Sequence, residues 1–158
     1  MKKVIIIEDS PTFCNMLGKK LEAKGWKTIL CYNYRDGLKA VKESSEWDVV
    51  ISDMRLGNDN GIDLLEWMRR NGYQNPFIIM TSYDESMSAV RTMKLGAEDY
   101  IPKKLLLDVV YERLEEIIDK QKRLVELNNK IVYRKSEKFR RIYKMAELFA
   151  KSDMAVMI

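Results

Sequence analysis

The chain has 158 residues and a formal net charge of +4; 46% of its residues are hydrophobic and 33% are charged, as in a globular domain with a short appendage. It contains no histidine, which excludes the commonest general base and the commonest nitrogen ligand of metals. No apolar run approaches the length of a membrane span. We therefore expect a cytoplasmic protein without membrane contact, whose Cys14 and Cys31 stay reduced.

The charges are distributed unevenly along the chain. Ten of the 28 Lys and Arg residues, but two of the 24 Asp and Glu residues, lie between Lys120 and Met145. The remainder of the chain is therefore net acidic, which predicts two parts with different roles.

Five short apolar segments predict β-strands, and segments with helical spacing separate them. The predicted strands are Val4–Ile7, Thr28–Tyr32, Val49–Ser52, Phe77–Thr81 and Asp99–Ile101. Helix boundaries are indicated by Ser10 and Pro11 at a start and by Gly25, Gly72 and Gly96 after three ends. This alternation predicts a doubly wound α/β domain with a five-stranded parallel sheet, covered on both faces, over roughly the first 105 residues.

A long helix is predicted after Leu105. Its repeating positions alternate in steps of three and four residues, which is the coiled-coil period. They are Leu107, Val110, Leu114, Ile117, Gln121, Leu124, Asn128 and Ile131. We expect the part from Leu107 to Ile117 to pack on its own domain, whereas a second chain is the better candidate to cover the rest. We expect a homodimer with a seam formed by Val110, Leu114, Ile117, Gln121, Leu124 and Asn128.

Polar side chains occur where the predicted strands end. Glu8 and Asp9 follow the first strand, Asp53 follows the third, Thr81 ends the fourth and Lys103 follows the fifth. The carboxyl ends of adjacent parallel strands share one edge, so these groups should meet. Clustered carboxylates repel one another, and Mg²⁺ relieves this repulsion and prefers oxygen ligands. Each acid taken alone is better explained as a helix cap or a solvated loop residue, but the five features together favour a Mg²⁺ site that accepts phosphate.

Four stretches of the chain match a known family. They are VIIIEDSP, VVISDMRLGNDNGIDLL, PFIIMTSYDE and MKLGAEDYIPKKL. With them, the chain from Met1 to about Leu107 resembles the receiver domain of two-component response regulators, which has a flavodoxin-like fold. The resemblance implies that a sensor histidine kinase phosphorylates Asp53. It also implies a Mg²⁺ ion held by Glu8, Asp9, Asp53 and the backbone carbonyl of Arg55.

The same resemblance implies roles for residues around the phosphorylation site. Thr81 and Lys103 match the hydroxyl and the lysine that contact the phosphoryl group. Thr81 and Tyr100 match the pair that changes position on activation. Arg55 and Tyr83 match positions that flank the path of attacking water and tune the lifetime of the phosphorylated state, although Arg55 is equally explained as a solvated loop charge.

Three positions depart from the family pattern. Gly57 stands where the family often has proline, Asn60 where it often has aspartate, and Lys104 where a proline usually follows the lysine. None of these residues contributes a side chain to the chemistry. The departures therefore concern the shape of the loop and leave the site intact.

The resemblance divides the chain into a receiver domain at residues 1–106, an extended last helix or coiled-coil linker at 107–133, and a tail at 134–158. The sequence of the tail predicts an amphipathic helix that is capped by Ser136. It also predicts that a strand starts in the last five residues, MAVMI. It resembles the opening of the ATPase domain of sigma-54-dependent activators of the nitrogen regulatory protein C type. Because no Gly-rich GKT or GKS element is present, we expect a fragment that stops before the Walker A loop.

The expected function is a phosphorylation-dependent switch that controls dimerisation and an attached sigma-54 activator ATPase. The chain would be no enzyme beyond its own phosphorylation and autodephosphorylation, and no helix-turn-helix pattern accompanies the basic run to suggest DNA contact. One alternative is a stand-alone receiver that acts as a protein-interaction module, with or without phosphorylation. Another is a Mg²⁺-dependent phosphatase with Asp53 as nucleophile. Such an enzyme would have a second acidic residue at the position of Arg55, and the sequence does not have one there.

Overall fold

The computed structural model of the chain describes residues 2–44, 47–82 and 86–150, with side chains for all of these except 86–88 and 128–150. The chain divides into two units, Met1–Ile117 and Ile118–Ile158. Within the described ranges, no helix is long and apolar enough to cross a membrane.

The first unit is built on a parallel β-sheet. The strands in the described ranges are β1 (Lys3–Ile7), β2 (Lys27–Cys31), β3 (Val49–Asp53), β4 (Arg55–Leu56), β5 (Asp59–Asn60), β6 (Phe77–Thr81) and β7 (Asp99–Pro102). The sheet has the order β2-β1-β3-β6-β7, and β4 and β5 form a separate antiparallel hairpin. The predicted fold class is confirmed, and no end of a predicted strand is displaced by more than one residue. The hairpin was not predicted, because two-residue strands are too short to show alternation.

Helices alternate with the strands of the sheet. They are α1 (Pro11–Glu22), α2 (Tyr34–Glu43), α3 (Gly61–Arg70), α4 (Ser86–Lys94) and α5 (Lys103–Ala150). As predicted, the Ser10 side chain caps α1 by accepting a hydrogen bond from the Phe13 N–H. Gly25, Gly72 and Gly96 follow α1, α3 and α4 with φ angles of 84°, 83° and 88°. Glycine adopts this left-handed conformation without the steric strain of other residues.

The core of the first unit lies on both faces of the central strands. Val4 to Ile7 are fully buried, and so are Val49 to Ile51 and Phe77 to Met80. Consecutive residues of a strand point to opposite faces, so this continuous burial requires helices on both sides of the sheet. The packing fixes the carboxyl ends of β1, β3 and β6 relative to one another.

The first turns of α5 belong to the first unit. Val110 and Leu114 are fully buried, and Ile117 is 4% exposed. Glu115 on the same turns accepts a hydrogen bond from Trp26 Nε1 at 3.2 Å. Val110, Leu114 and Ile117 therefore pack on their own domain, as expected for the part from Leu107 to Ile117, and the prediction that they also contribute to a dimer seam is wrong. Side chains that are already buried within one chain have no surface left for a second chain.

The later part of α5 is one continuous helix to its end. Gln121 is partly exposed and Leu124 is 51% exposed, whereas the side chain of Asn128 lies outside the described residues. The expectation of a separate helix capped by Ser136 is wrong, because Ser136 lies inside α5. The strand predicted at residues 154–158 lies outside the described residues.

Candidate functional site

The polar residues predicted at the strand ends lie together in the structure. Glu8 and Asp9 follow β1, Asp53 ends β3, Thr81 ends β6, and Lys103 begins α5 directly after β7. Because β1, β3, β6 and β7 are successive neighbours in the sheet, their carboxyl ends share one edge. The five side chains line a cavity of about 210 Å³ together with Ser10, Arg55 and Ser82.

Three carboxylates form the acidic part of this site. One oxygen from each of Glu8, Asp9 and Asp53 lies within 4.8 Å of the other two. Glu8 is fully buried and Asp53 is 6% exposed, whereas Asp9 is exposed. The site is therefore a buried pair of acids with a third acid at its mouth.

Lys103 supplies the positive charge that faces the buried pair. Its Nζ lies 2.7 Å from Asp53 Oδ2 and 2.7 Å from Glu8 Oε2. Burial lowers the pKa of Lys103, but the hydrogen bonds and charges of Asp53 and Glu8 outweigh burial and raise it above the ordinary value. The ring of Phe13 lies under the ammonium group, with its centroid 5.2 Å from Nζ. Lys103 therefore remains charged and held in place at neutral pH.

The two buried acids keep a tendency to bind a proton despite this lysine. Burial raises the pKa of Asp53, the contacts with Lys103 lower it, and the charge of Asp9 raises it further, so that the net shift is upward. Burial likewise raises the pKa of Glu8 above its usual range, against the lowering contacts with Lys103 and the Ser10 N–H. The contacts with Lys103 thus do not offset the cost of burying these two carboxylates.

The donor set fits a hard divalent cation. It consists of carboxylate oxygens from three residues, which are the ligands that Mg²⁺ and Ca²⁺ prefer. Sulfur ligands are not available at this edge, because Cys14 and Cys31 are buried and burial raises the pKa of their thiols to about 11 and about 12. A dication would supply the positive charge that Lys103 alone does not.

Two further predicted residues lie on β6, the neighbour of β3, and on β7, the next strand of the sheet. Thr81 is 1% exposed at the end of β6, and Tyr100 lies on the neighbouring strand β7. The Tyr100 side chain is half-buried against the core, with its hydroxyl 3.7 Å from Met54 Sδ. Tyr83, the other predicted neighbour of the site, lies outside the described residues.

The start of α3 approaches the backbone of Asp53 very closely. A Cβ atom built on Gly61 would lie 2.1 Å from the Asp53 carbonyl oxygen and 2.6 Å from Ser52 Oγ. Only glycine allows this approach. Sequence reasoning did not assign a role to Gly61, although a glycine after Asn60 in the loop was the signal that could have found it.

The departures from the family pattern have structural explanations at two positions. Asn60 caps α3, since its Oδ1 accepts a hydrogen bond from the Ile62 N–H at 2.8 Å, as an aspartate would. Gly57 lies at the tip of the hairpin with a φ of 66°, and its N–H donates to Asp9 Oδ2 at 3.0 Å. The loop therefore caps α3 and contacts the acidic cluster.

Together, the doubly wound sheet and the acidic cluster with its lysine define a domain of the receiver class. The sequence profile of the response regulator receiver domain matches residues 4–115, and the chain belongs to this family. It is accordingly a phosphorylation switch of a two-component system.

Curated relatives and solved structures agree with this assignment. The chain is 30% identical over 115 residues to the transcriptional regulatory protein ZraR of Salmonella typhimurium, covering 73% of this chain and 26% of ZraR. It is 30% identical over 140 residues to the two-component response regulator PprB of Pseudomonas aeruginosa, covering 82% of this chain and 51% of PprB. The chain thus spans about a quarter to a half of the length of these relatives.

Among solved structures, the fold is similar to that of a response regulator receiver domain protein from Clostridium thermocellum. The TM-score is 0.73 at 25% identity, and the match covers 78% of this chain and 99% of the other. A response regulator from Burkholderia pseudomallei has the same fold, with a TM-score of 0.66 at 23% identity, over 82% of this chain and 75% of the other.

Proposed function

We propose that Asp53 accepts a phosphoryl group from a phosphohistidine of a sensor kinase, with Mg²⁺ bound by Glu8, Asp9, Asp53 and the backbone carbonyl of Arg55. The observation that supports this most is the position of Asp53. It is the one acid of the cluster that both contacts Lys103, at 2.7 Å, and ends a central strand. The cavity at its carboxylate is lined by Thr81 among other residues and is large enough for a phosphoryl group.

The chemistry follows from these groups. A carboxylate oxygen of Asp53 attacks phosphorus, a P–O bond forms, and the P–N bond to the kinase histidine breaks. Lys103 neutralises charge on the transferred group, and a cation held by Glu8, Asp9 and Asp53 would add to this effect, which is what phosphoryl transfer requires of a protein. The Thr81 hydroxyl donates a hydrogen bond to a phosphoryl oxygen. The chain promotes its own phosphorylation and dephosphorylation in this way and transforms no separate substrate.

Phosphorylation would then act as a switch through Thr81 and Tyr100. A phosphoryl group adds about −1.5 to −2 charges and several acceptor oxygens at Asp53. Thr81 moves toward these oxygens, and Tyr100, which now contacts Met54, moves into the space that Thr81 leaves. The surface around α4 and β7 changes with them. Arg55, exposed beside the cavity, tunes access of water to the phosphoryl group.

We propose that the receiver domain at 1–106 passes its signal to the rest of the protein through a coiled-coil linker within 107–133, which pairs two chains. We also propose that the tail at 134–158 begins a sigma-54 activator ATPase domain. The exposed apolar residues Leu124, Val125 and Leu127 support pairing through the second unit. The resemblance of residues 134–158 to the opening of sigma-54 activator ATPase domains supports the assignment of the tail. The encoding gene tests this part: a Walker A loop should follow shortly after residue 158, and a different domain there would contradict it.

The phosphoacceptor is tested by binding of beryllofluoride, an analogue of the phosphoryl group, in the presence of Mg²⁺. Amide NMR spectra of the wild type should change around the site, and those of Asp53→Asn should not. Asp59→Asn is the matched control, since Asp59 is an exposed acid of the same loop and its variant should respond like the wild type. A response of Asp53→Asn equal to the wild type would show that another residue is the acceptor.

A further inference from the structure

We propose that Gly57 is a positioning residue of the metal site, whose backbone N–H holds the carboxylate of Asp9 in the acidic cluster. This role rests on the proposed function, because it concerns the cation that Glu8, Asp9 and Asp53 are proposed to bind. The contact itself is a hydrogen bond of 3.0 Å from Gly57 N to Asp9 Oδ2. It joins the loop after β1 to the tip of the β4–β5 hairpin.

Asp9 is the acid of the cluster that most needs such support. Glu8 and Asp53 are buried and face Lys103, so their orientations are fixed by packing and by an ion pair. Asp9 is exposed, and in the described part of the chain its carboxylate accepts one hydrogen bond, from Gly57. Without that bond the side chain would be free to rotate into solvent and away from the other two acids.

The hairpin presents the Gly57 N–H because of its turn type. Arg55 pairs with Asn60, and Leu56 pairs with Asp59, which leaves Gly57 and Asn58 as a two-residue turn. Gly57 has a φ of 66°, and Asn58 does not have a positive φ, as in a type II′ turn with glycine at its first central position. In such a turn the residues flanking the two central ones make the internal hydrogen bond. The N–H of Gly57 is therefore left for another acceptor, and Asp9 takes it.

The identity of residue 57 matters for this contact. A proline, which receiver domains often carry here, has no N–H and has its φ fixed near −65°, so it could neither adopt this turn nor hold Asp9. Space is not the constraint, because nothing lies within 4 Å of a Cβ built on Gly57. The requirements are a left-handed conformation and an N–H.

The expected consequence is a change in cation affinity. Partners that orient metal ligands typically change affinity by about 10- to 100-fold, and the lower end is expected for an exposed bond. Replacing the Gly57 amide by an ester, through incorporation of glycolic acid, removes the N–H and keeps the residue otherwise unchanged. Titration with MgCl₂, followed by NMR shifts of the remaining site amides, should give binding about tenfold weaker than in the wild type.

Two variants act as controls. The same ester at Gly25, whose N–H donates to Glu22 O at 2.9 Å after α1, should bind Mg²⁺ like the wild type. Replacing Gly57 by D-alanine keeps the N–H and favours the positive φ of the first central position of a type II′ turn, so this variant should also keep the wild-type affinity. A Gly57 ester that binds Mg²⁺ as tightly as the wild type, or a D-alanine variant as weak as the ester, overturns the inference alone. A wild type that binds no Mg²⁺ overturns the proposed function as well.

Discussion

Lys103 Nζ lies 2.7 Å from Asp53 Oδ2, so the first residue of α5 contacts the last residue of the central strand β3. The same ammonium group is shared with Glu8. Since the site holds three carboxylates and this one lysine, it is net negative without a cation. The stability of the metal-free domain should therefore depend on the charges of these residues.

Lys103→Met should destabilise the metal-free protein, because it leaves two buried carboxylates without their cation. Breaking a buried ion pair costs about 3–5 kcal/mol, and the lower end is expected because the side chain of Lys103 is 16% exposed. Urea unfolding at neutral pH measures this loss. Lys104→Met changes an adjacent, exposed lysine and should leave the midpoint nearly unchanged. Equal midpoints for the two variants would show that Lys103 does not stabilise the acid pair.

Asp53→Asn should stabilise the metal-free protein at neutral pH. The pKa of Asp53 is raised in the folded state above its ordinary value of 3.8, so the folded wild type binds a proton more readily than the unfolded chain. Its contribution to stability is present at pH values below about 4 and is lost as pH rises through the raised folded pKa. Unfolding curves from pH 4 to 7 should therefore show the advantage of Asp53→Asn growing with pH. An advantage that shrinks over this range would contradict the upward shift.

The sequence predicted the sheet and the site because both depend on local patterns. Runs such as Val4 to Ile7 are buried on both faces, and the polar residues follow them directly. The dimer seam was misassigned at Leu114 because steps of three and four residues suit packing on the same chain as well as on another. The bond from Gly57 to Asp9 was not predictable, since it joins residues 48 positions apart through an unpredicted hairpin.

Gly61→Ala should destabilise the domain, since its Cβ would lie 2.1 Å from the backbone oxygen of Asp53. Overpacking costs about 1–3 kcal/mol, and a clash with backbone belongs at the upper end. Gly72→Ala is the matched control: nothing lies within 4 Å of its Cβ, and its cost is the strain of a left-handed alanine, about 1–2 kcal/mol. Thermal unfolding compares the stabilities of the two variants, and Gly61→Ala should have the lower melting temperature. If Gly61→Ala is the more stable of the two variants, the close approach is not a constraint.

Leu114→Asp and Leu124→Asp should have different effects although both change α5. Leu114 is fully buried in the first unit, so a charge there should unfold the domain, by about 3 kcal/mol or more. Leu124 is 51% exposed, so its variant should fold normally and lose the proposed dimer. Circular dichroism and sedimentation separate the two effects. A wild type that stays monomeric at concentrations of about tens of micromolar would refute pairing through this helix.

The central claim is that Asp53 is the residue that takes the phosphoryl group, with help from a divalent cation. Incubation with acetyl phosphate and MgCl₂, followed by intact mass measurement and peptide mapping, tests it most directly. We expect one acid-labile phosphoryl group on the peptide that contains Asp53 in the wild type. The same group should be absent without MgCl₂ and absent from Asp53→Asn. Phosphorylation mapped to another residue, or equal labelling of Asp53→Asn, would contradict the assignment.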